Sequence, residues 1–133
     1  MSQENVELVR RAFAAFSAGD FDDALMFFTS DAAWYTSDRW LEGSAYRGHD
    51  GLRRLVAGFT ENFDGLGYDV EEIRAVEDRV VALVHMTGRI KDSTQPISQP
   101  LGLVVSDFRD GAFGEVRAYA SWRDALSAVG QDG

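Results

Sequence analysis

The stretch YDVEEIRAVEDRVVALVHMTGRI, from Tyr68 to Ile90, is where the hydrophobic period of the chain changes. Upstream of it, apolar residues return every three or four positions. From Tyr68 onward they alternate or run in short β-branched blocks, which is the pattern of strands. Glu77-Asp78-Arg79 is polar and short enough for a hairpin turn, so the strands Tyr68 to Val76 and Val80 to Ile90 fold back on one another. Two further strands follow, Leu101 to Phe108 and Phe113 to Ser121, joined at Arg109-Asp110-Gly111. Asp92 to Pro100 holds both prolines and reads as a longer loop. Strands connected by tight turns pair antiparallel.

Working back from Tyr68, Leu52, Leu55, Val56, Phe59 and Phe63 repeat at helical spacing between Gly48 and Phe63, and Asp64-Gly65-Leu66-Gly67 ends that helix. A polar loop, Ser37 to Tyr46, precedes it. Before the loop, Ala32-Ala33-Trp34-Tyr35-Thr36 is a short strand. The chain begins with two helices in tandem. Val6, Val9, Phe13 and Phe16 form the stripe of the first, with Ser2 as N-cap and Glu4 in the first turn; Gly19 ends it. Asp20 caps the second, whose stripe is Phe21, Ala24, Leu25 and Phe28. At the other end, Arg123 to Gly130 predicts a final helical turn with Ala125, Leu126 and Val129 inward, leaving Gln131-Asp132-Gly133 frayed.

At 133 residues, 45% of them apolar and with nine phenylalanines, four tyrosines and three tryptophans, the chain can bury one real core, and one domain is expected. The absence of cysteine excludes disulfides, thiolate metal sites and cysteine nucleophiles. Two histidines, His49 and His85, cannot build a histidine-rich zinc centre; no metal and no cofactor are expected. A net charge of −9 repels polyphosphates and anionic membranes, so neither nucleic acid nor membrane is an expected partner. No run of residues approaches the roughly 20 apolar positions needed to span a bilayer, and Met1-Ser2-Gln3-Glu4 lacks the layout of a secretory signal; a cytoplasmic location is expected.

Several motifs carry a resemblance. Asn5-Val6-Glu7-Leu8-Val9-Arg10-Arg11-Ala12-Phe13, the junction Ala18-Gly19-Asp20-Phe21-Asp22, the entry Tyr46-Arg47-Gly48-His49-Asp50-Gly51-Leu52, and Phe108-Arg109-Asp110-Gly111 with Val116-Arg117-Ala118-Tyr119 resemble the nuclear transport factor 2-like superfamily, in particular its SnoaL-like, polyketide cyclase-like branch. The resemblance covers nearly the whole chain, 1–133. It implies an α+β fold: a cone-shaped curved antiparallel sheet with N-terminal helices packed on its concave face, a cystatin-like or SnoaL-like roll. It also implies a pocket for a small apolar or polyketide-like molecule, and a homodimer. Cofactor-independent isomerisation or cyclisation is the chemistry open to such a pocket; the alternative is a non-catalytic ligand-binding or dimeric scaffold domain.

A ketosteroid-isomerase-type reaction needs a carboxylate base plus a tyrosine and a protonated acid as donors to the developing oxyanion. The resemblance aligns Ala12 with the tyrosine, Thr36 with the base and Ser106 near the acid, so that mechanism is disfavoured. Strand parity taken from the resemblance turns Trp34, Thr36, Val84, Met86, Val104, Ser106, Arg117, Tyr119 and Ser121 toward the pocket. Arg117 and Tyr119 are the catalytic candidates, because a guanidinium and a phenol aimed inward can orient a carbonyl or carboxylate; hydrogen bonds that merely close the sheet are the competing reading. Trp34, Thr36, Asp38, Tyr46, Val84, Met86, Ser106 and Ser121 are the expected ligand-binding lining, with Asp38 and Tyr46 at the rim. Asp38 can equally pair with Arg39 or solvent. His85 alternates with Met86 and reads as a structural or interface residue on the opposite face, while His49 is expected at the surface near the start of its helix.

Overall fold

The computed structural model describes residues 2–35, 45–93 and 95–130. Along the chain come α1 (Ser2–Ser17), α2 (Phe21–Leu25), β1 (Phe28–Tyr35), β2 (Ala45–Arg47), α3 (Gly48–Asn62), β3 (Phe63–Val76), β4 (Arg79–Ile90), β5 (Pro96–Arg109), β6 (Ala112–Tyr119) and α4 (Trp122–Ala128). The six strands form one curved, open sheet in the order β2-β1-β6-β5-β4-β3. The expected α+β architecture is present, with one departure from an all-antiparallel sheet: β1 runs parallel to β6. No helix among the described residues is long and apolar enough to cross a membrane.

The helices form because their apolar residues recur on one face and find a sheet to cover. Val9, Ala12, Phe13 and Phe16 of α1 are buried at spacings of three and four, and they share a core with Val80, Ala82, Val84 and Met86 of β4 and Leu101, Leu103 and Val105 of β5. Leu52 of α3 joins the same cluster, so α1, α2 and α3 lie on one face of the sheet. Phe113 and Phe28, neighbours on β6 and β1, meet at 4.7 Å between ring centroids in the middle of this core. Truncating a fully buried ring such as Phe113 to alanine costs about 3–5 kcal/mol. The opposite face carries a smaller core, where Ala125, Leu126 and Val129 of the last helical segment cover Val76, Val81 and Val104.

The helix ends follow their sequence signals. Asp20 caps α2 by accepting a hydrogen bond from the Asp23 backbone N–H, and Ser121 caps α4 by accepting from Asp124 N–H. The Ser17 hydroxyl both donates to the Tyr68 carbonyl and accepts from the Tyr68 N–H, which ties the end of α1 to β3.

Four boundaries differ from expectation. The Asp64-Gly65-Leu66-Gly67 stretch, expected to end the third helix ahead of a strand starting at Tyr68, is itself strand: β3 begins at Phe63, which pairs with Ile90, and Gly67 pairs with Thr87. Phe28 starts β1 rather than extending α2, because its ring belongs against Phe113. A short strand, β2, occupies the end of the expected polar loop. Most of the expected loop from Asp92 to Pro100 is strand: Pro96 pairs with Arg89 and Pro100 with His85. Both prolines sit where β5 extends beyond β6, whose pairing with β5 ends at Gly102 and Tyr119, so the ladder tolerates them as at an edge.

Candidate functional site

The site develops where the helical layer does not close over the core. Between α1–α2 and α3 lies a cleft of about 290 Å³ lined by Phe16, Phe21, Leu25, Leu52, Val56 and Ala57, with Asp22, Arg53 and Thr60 at its edge. Phe16, Leu25 and Leu52 are also members of the main core, so the floor of the cleft is the core itself. At the mouth Arg53 stands 3.9 Å from Asp22 across the opening and 3.4 Å from Asp50 on its own helix. These carboxylates are nearly fully exposed, so their pairing adds little stability, but it does mark the rim with both signs of charge. A second hollow of about 300 Å³, beside Gln3, Glu4, Glu7, Leu8, Arg11 and Gly111, is walled mainly by exposed polar side chains.

Behind Phe16 stands Tyr68, a residue that the reading of the sequence placed only at a strand start. Its ring packs against Phe13 at 6.0 Å and Phe16 at 5.9 Å between centroids, and burial pushes its phenol up to about 12. The hydroxyl makes no hydrogen bond among the described residues. Nothing in its spacing separates such a tyrosine from an ordinary inward strand residue.

The expected lining is divided by the structure. Val84 and Met86 are fully buried on the helix-covered face, and Trp34 packs against the same core. Tyr46, half-buried, pairs with Trp34 and so shares that face. Thr36 and Asp38 lie outside the described residues. Ser121 is occupied as the α4 cap.

Val104, Ser106, Arg117 and Tyr119 are on the other face, contrary to the inward orientation expected for them. Val104 belongs to the core beneath α4, and its register partner on β6 is Arg117. Ser106 pairs with Glu115, and Tyr119 packs against the α4 cluster. The physical cause is a change of parity in both strands at once. Phe108 and Val105 both meet the main core although three residues apart, as do Phe113 and Val116. Between them sit Asp107, with a left-handed φ of 60°, and Gly114. The Asp107 carboxylate occupies the space a Cβ at Gly114 would fill, so glycine accommodates this arrangement without displacing that side chain.

On that opposite face, Arg117 Nε donates to Glu115 Oε2 at 3.0 Å, and the Ser106 hydroxyl donates to the same oxygen at 3.3 Å. The Glu115 hydrogen bond raises the Arg117 guanidinium above its ordinary value. Tyr119 makes no hydrogen bond to a carboxylate or imidazole among the described residues. His85 does face away from Met86: its Nδ1 lies 2.9 Å from Glu71 Oε1, without the alignment of a hydrogen bond. His49 is half-buried rather than at the surface, its Nε2 3.0 Å from the Phe28 carbonyl, where the N–H tautomer ties the start of α3 to β1. Among the described residues no group of acidic or histidine side chains could hold a metal ion.

No curated protein matches the chain in sequence. Solved structures match its fold. A protein of ketosteroid isomerase-like fold from Catenulispora acidiphila, in complex with trimethylamine, is 17% identical with a TM-score of 0.75, over 94% of this chain and 93% of that one. TerC, co-crystallised with polyporic acid, is 17% identical with a TM-score of 0.76, over 96% and 99%. A protein provisionally named a SnoaL-like polyketide cyclase, from Jannaschia sp. CCS1, is 22% identical with a TM-score of 0.73, over 96% and 92%. The SnoaL-like domain family matches residues 9–116, from within α1 to within β6, and this chain belongs to that family.

Proposed function

We propose that the chain binds a small, largely apolar molecule in the cleft between α1–α2 and α3, and that it does so as a ligand-binding domain rather than as an acid–base catalyst. The observation that carries this reading is the wall of the cleft: Phe16, Phe21, Leu25, Leu52, Val56 and Ala57, with charge confined to the rim. Concave apolar walls with few polar groups are the usual chemistry of small-molecule sites, and about 290 Å³ is near the lower end of their size range. Isomerisation or cyclisation would need a carboxylic acid or imidazole over the apolar floor, and none of the described cleft residues offers one there: Asp22 is at the rim and its side chain is almost fully exposed. The ligands of two proteins of the same fold, trimethylamine and polyporic acid, lend support by analogy.

The test is a thermal-shift series with neutral aromatic and aliphatic molecules small enough for the cleft. A ligand at a hundred times its Kd adds about 2.7 kcal/mol, which raises Tm by roughly 8–13 °C for a domain of this size. A series in which no neutral apolar compound raises Tm contradicts the proposal.

A further inference from the structure

The mouth of the apolar cleft holds the two signs of charge in unequal number. Arg53, on α3, faces two carboxylates: Asp50 on its own helix, to which Nη1 donates at 3.4 Å, and Asp22 of α2 across the opening, 3.9 Å from Nη2. The second separation is that of an ion pair and is too long for a hydrogen bond. The Asp22 side chain accepts no hydrogen bond among the described residues. Two carboxylates on one guanidinium leave one negative charge, and it falls on the less engaged of the two. That one, Asp22, lines the cleft, whereas Asp50 stands outside the lining. Thr60, the uncharged polar residue of the edge, has its hydroxyl proton on the Ala57 carbonyl. The net charge of −9 adds the same sign at longer range.

We propose that the cleft prefers molecules that join a compact apolar body to a single cationic amine, with Asp22 as the residue that sets this preference; the inference rests on the reading of the cleft as a ligand site. The apolar body leaves water for the wall of Phe16, Phe21, Leu25, Leu52 and Val56. The ammonium stays at the mouth, where it donates to the open oxygens of Asp22 while Arg53 keeps Asp50. A carboxylate head would instead bring a third negative charge to a guanidinium that already faces two. The rim is exposed, so water and salt screen these interactions and the selectivity is modest, about threefold in affinity for the amine over a neutral molecule of the same shape.

Three ligands of matched shape test this in an NMR titration of the whole protein at neutral pH and low salt: phenethylamine, phenethyl alcohol and phenylacetate. Saturable shifts are expected at the backbone amides of Leu52, Val56 and Ala57, with the amine bound about threefold more tightly than the alcohol and the acid more weakly than either. Asp22→Asn removes the amine's advantage and leaves the alcohol unchanged, and high salt does the same. Arg53→Gln, which takes away the competing cation, enlarges it. Val56→Trp weakens all three. If the alcohol binds and is weakened by Val56→Trp, but the amine is no tighter than the alcohol or keeps its advantage in Asp22→Asn, the cleft stands as a ligand site and the preference for amines is overturned. If none of the three shifts these amides, or Val56→Trp weakens none of them, the reading of the cleft fails and the preference falls with it.

Discussion

The carbonyl oxygen of Ser121 lies where a Cβ on Gly102 would have to be, and the Ala125 methyl closes the same space at 2.7 Å. Gly102 is thus the point at which β5 admits α4 against the sheet, and the group in the way is backbone, which cannot swing aside. Gly102→Ala is expected to cost about 2–3 kcal/mol by forcing α4 off Val81 and Val104. Gly114→Ala meets only the movable ends of the Asp107 and Arg109 side chains, so its expected cost is smaller, about 1 kcal/mol. Urea denaturation of the two variants checks the order, and a Gly114 variant less stable than the Gly102 variant would refute it.

Arg109, at the end of β5, joins that strand to β1 across β6. Its Nη2 donates to Asp31 at 2.8 Å and to Asp107 at 3.0 Å, and Thr29 donates its hydroxyl to Asp31. The Thr29 hydrogen bond, then Arg109, hold the Asp31 carboxyl below its ordinary value of 3.8. With the folded value the lower one, the unfolded chain binds more protons near pH 4. The contribution is therefore present above that pH and is lost as acid titrates the folded carboxyl. Asp31→Asn should flatten this part of the stability profile, and an NMR titration of Asp31 should place its midpoint below 3.8; a midpoint above 3.8 would contradict the assignment.

Tyr68 makes the corresponding prediction in alkali. Its phenol is pushed up to about 12 by burial, so the folded protein holds this proton after the unfolded chain has released it near 10. Stability from this group is complete below pH 10 and declines as pH rises through about 12. A spectrophotometric titration should show a phenol step at about 12, and Tyr68→Phe should remove it.

Much of the fold is legible in the chain because local signals agree with it. The stripes of α1 and α3, the Asp20 cap, the Asp110-Gly111 turn with positive φ at both residues, and the alternation through Val84 and Met86 each specify a piece of the structure. The candidate site is less legible, for two physical reasons. A left-handed Asp107 opposite a glycine exchanges the faces of β5 and β6 partway along, and nothing in an alternating pattern announces that a non-glycine residue takes such a conformation. Counting by twos from Phe108 and Phe113 also turns Ser106, Val104, Arg117 and Tyr119 inward; past the switch, Val105, Leu103, Val116 and Ala118 take those places. The second reason is that Phe16, Leu25 and Leu52 belong to the core and line the cleft at the same time, and helical spacing describes both roles identically.

A ligand site in the helical cleft differs from a packing defect in what filling it does, and Val56, half-buried in its wall, is the residue through which to fill it. The measurement is a fluorescence titration with N-phenyl-1-naphthylamine, a neutral apolar probe, comparing the unaltered protein with Val56→Trp, which fills the cleft, and Arg117→Ala on the opposite face. Saturable one-to-one binding is expected, at least tenfold weaker in Val56→Trp and unchanged in Arg117→Ala. Binding that does not saturate, or that is as tight with the cleft filled, would contradict it.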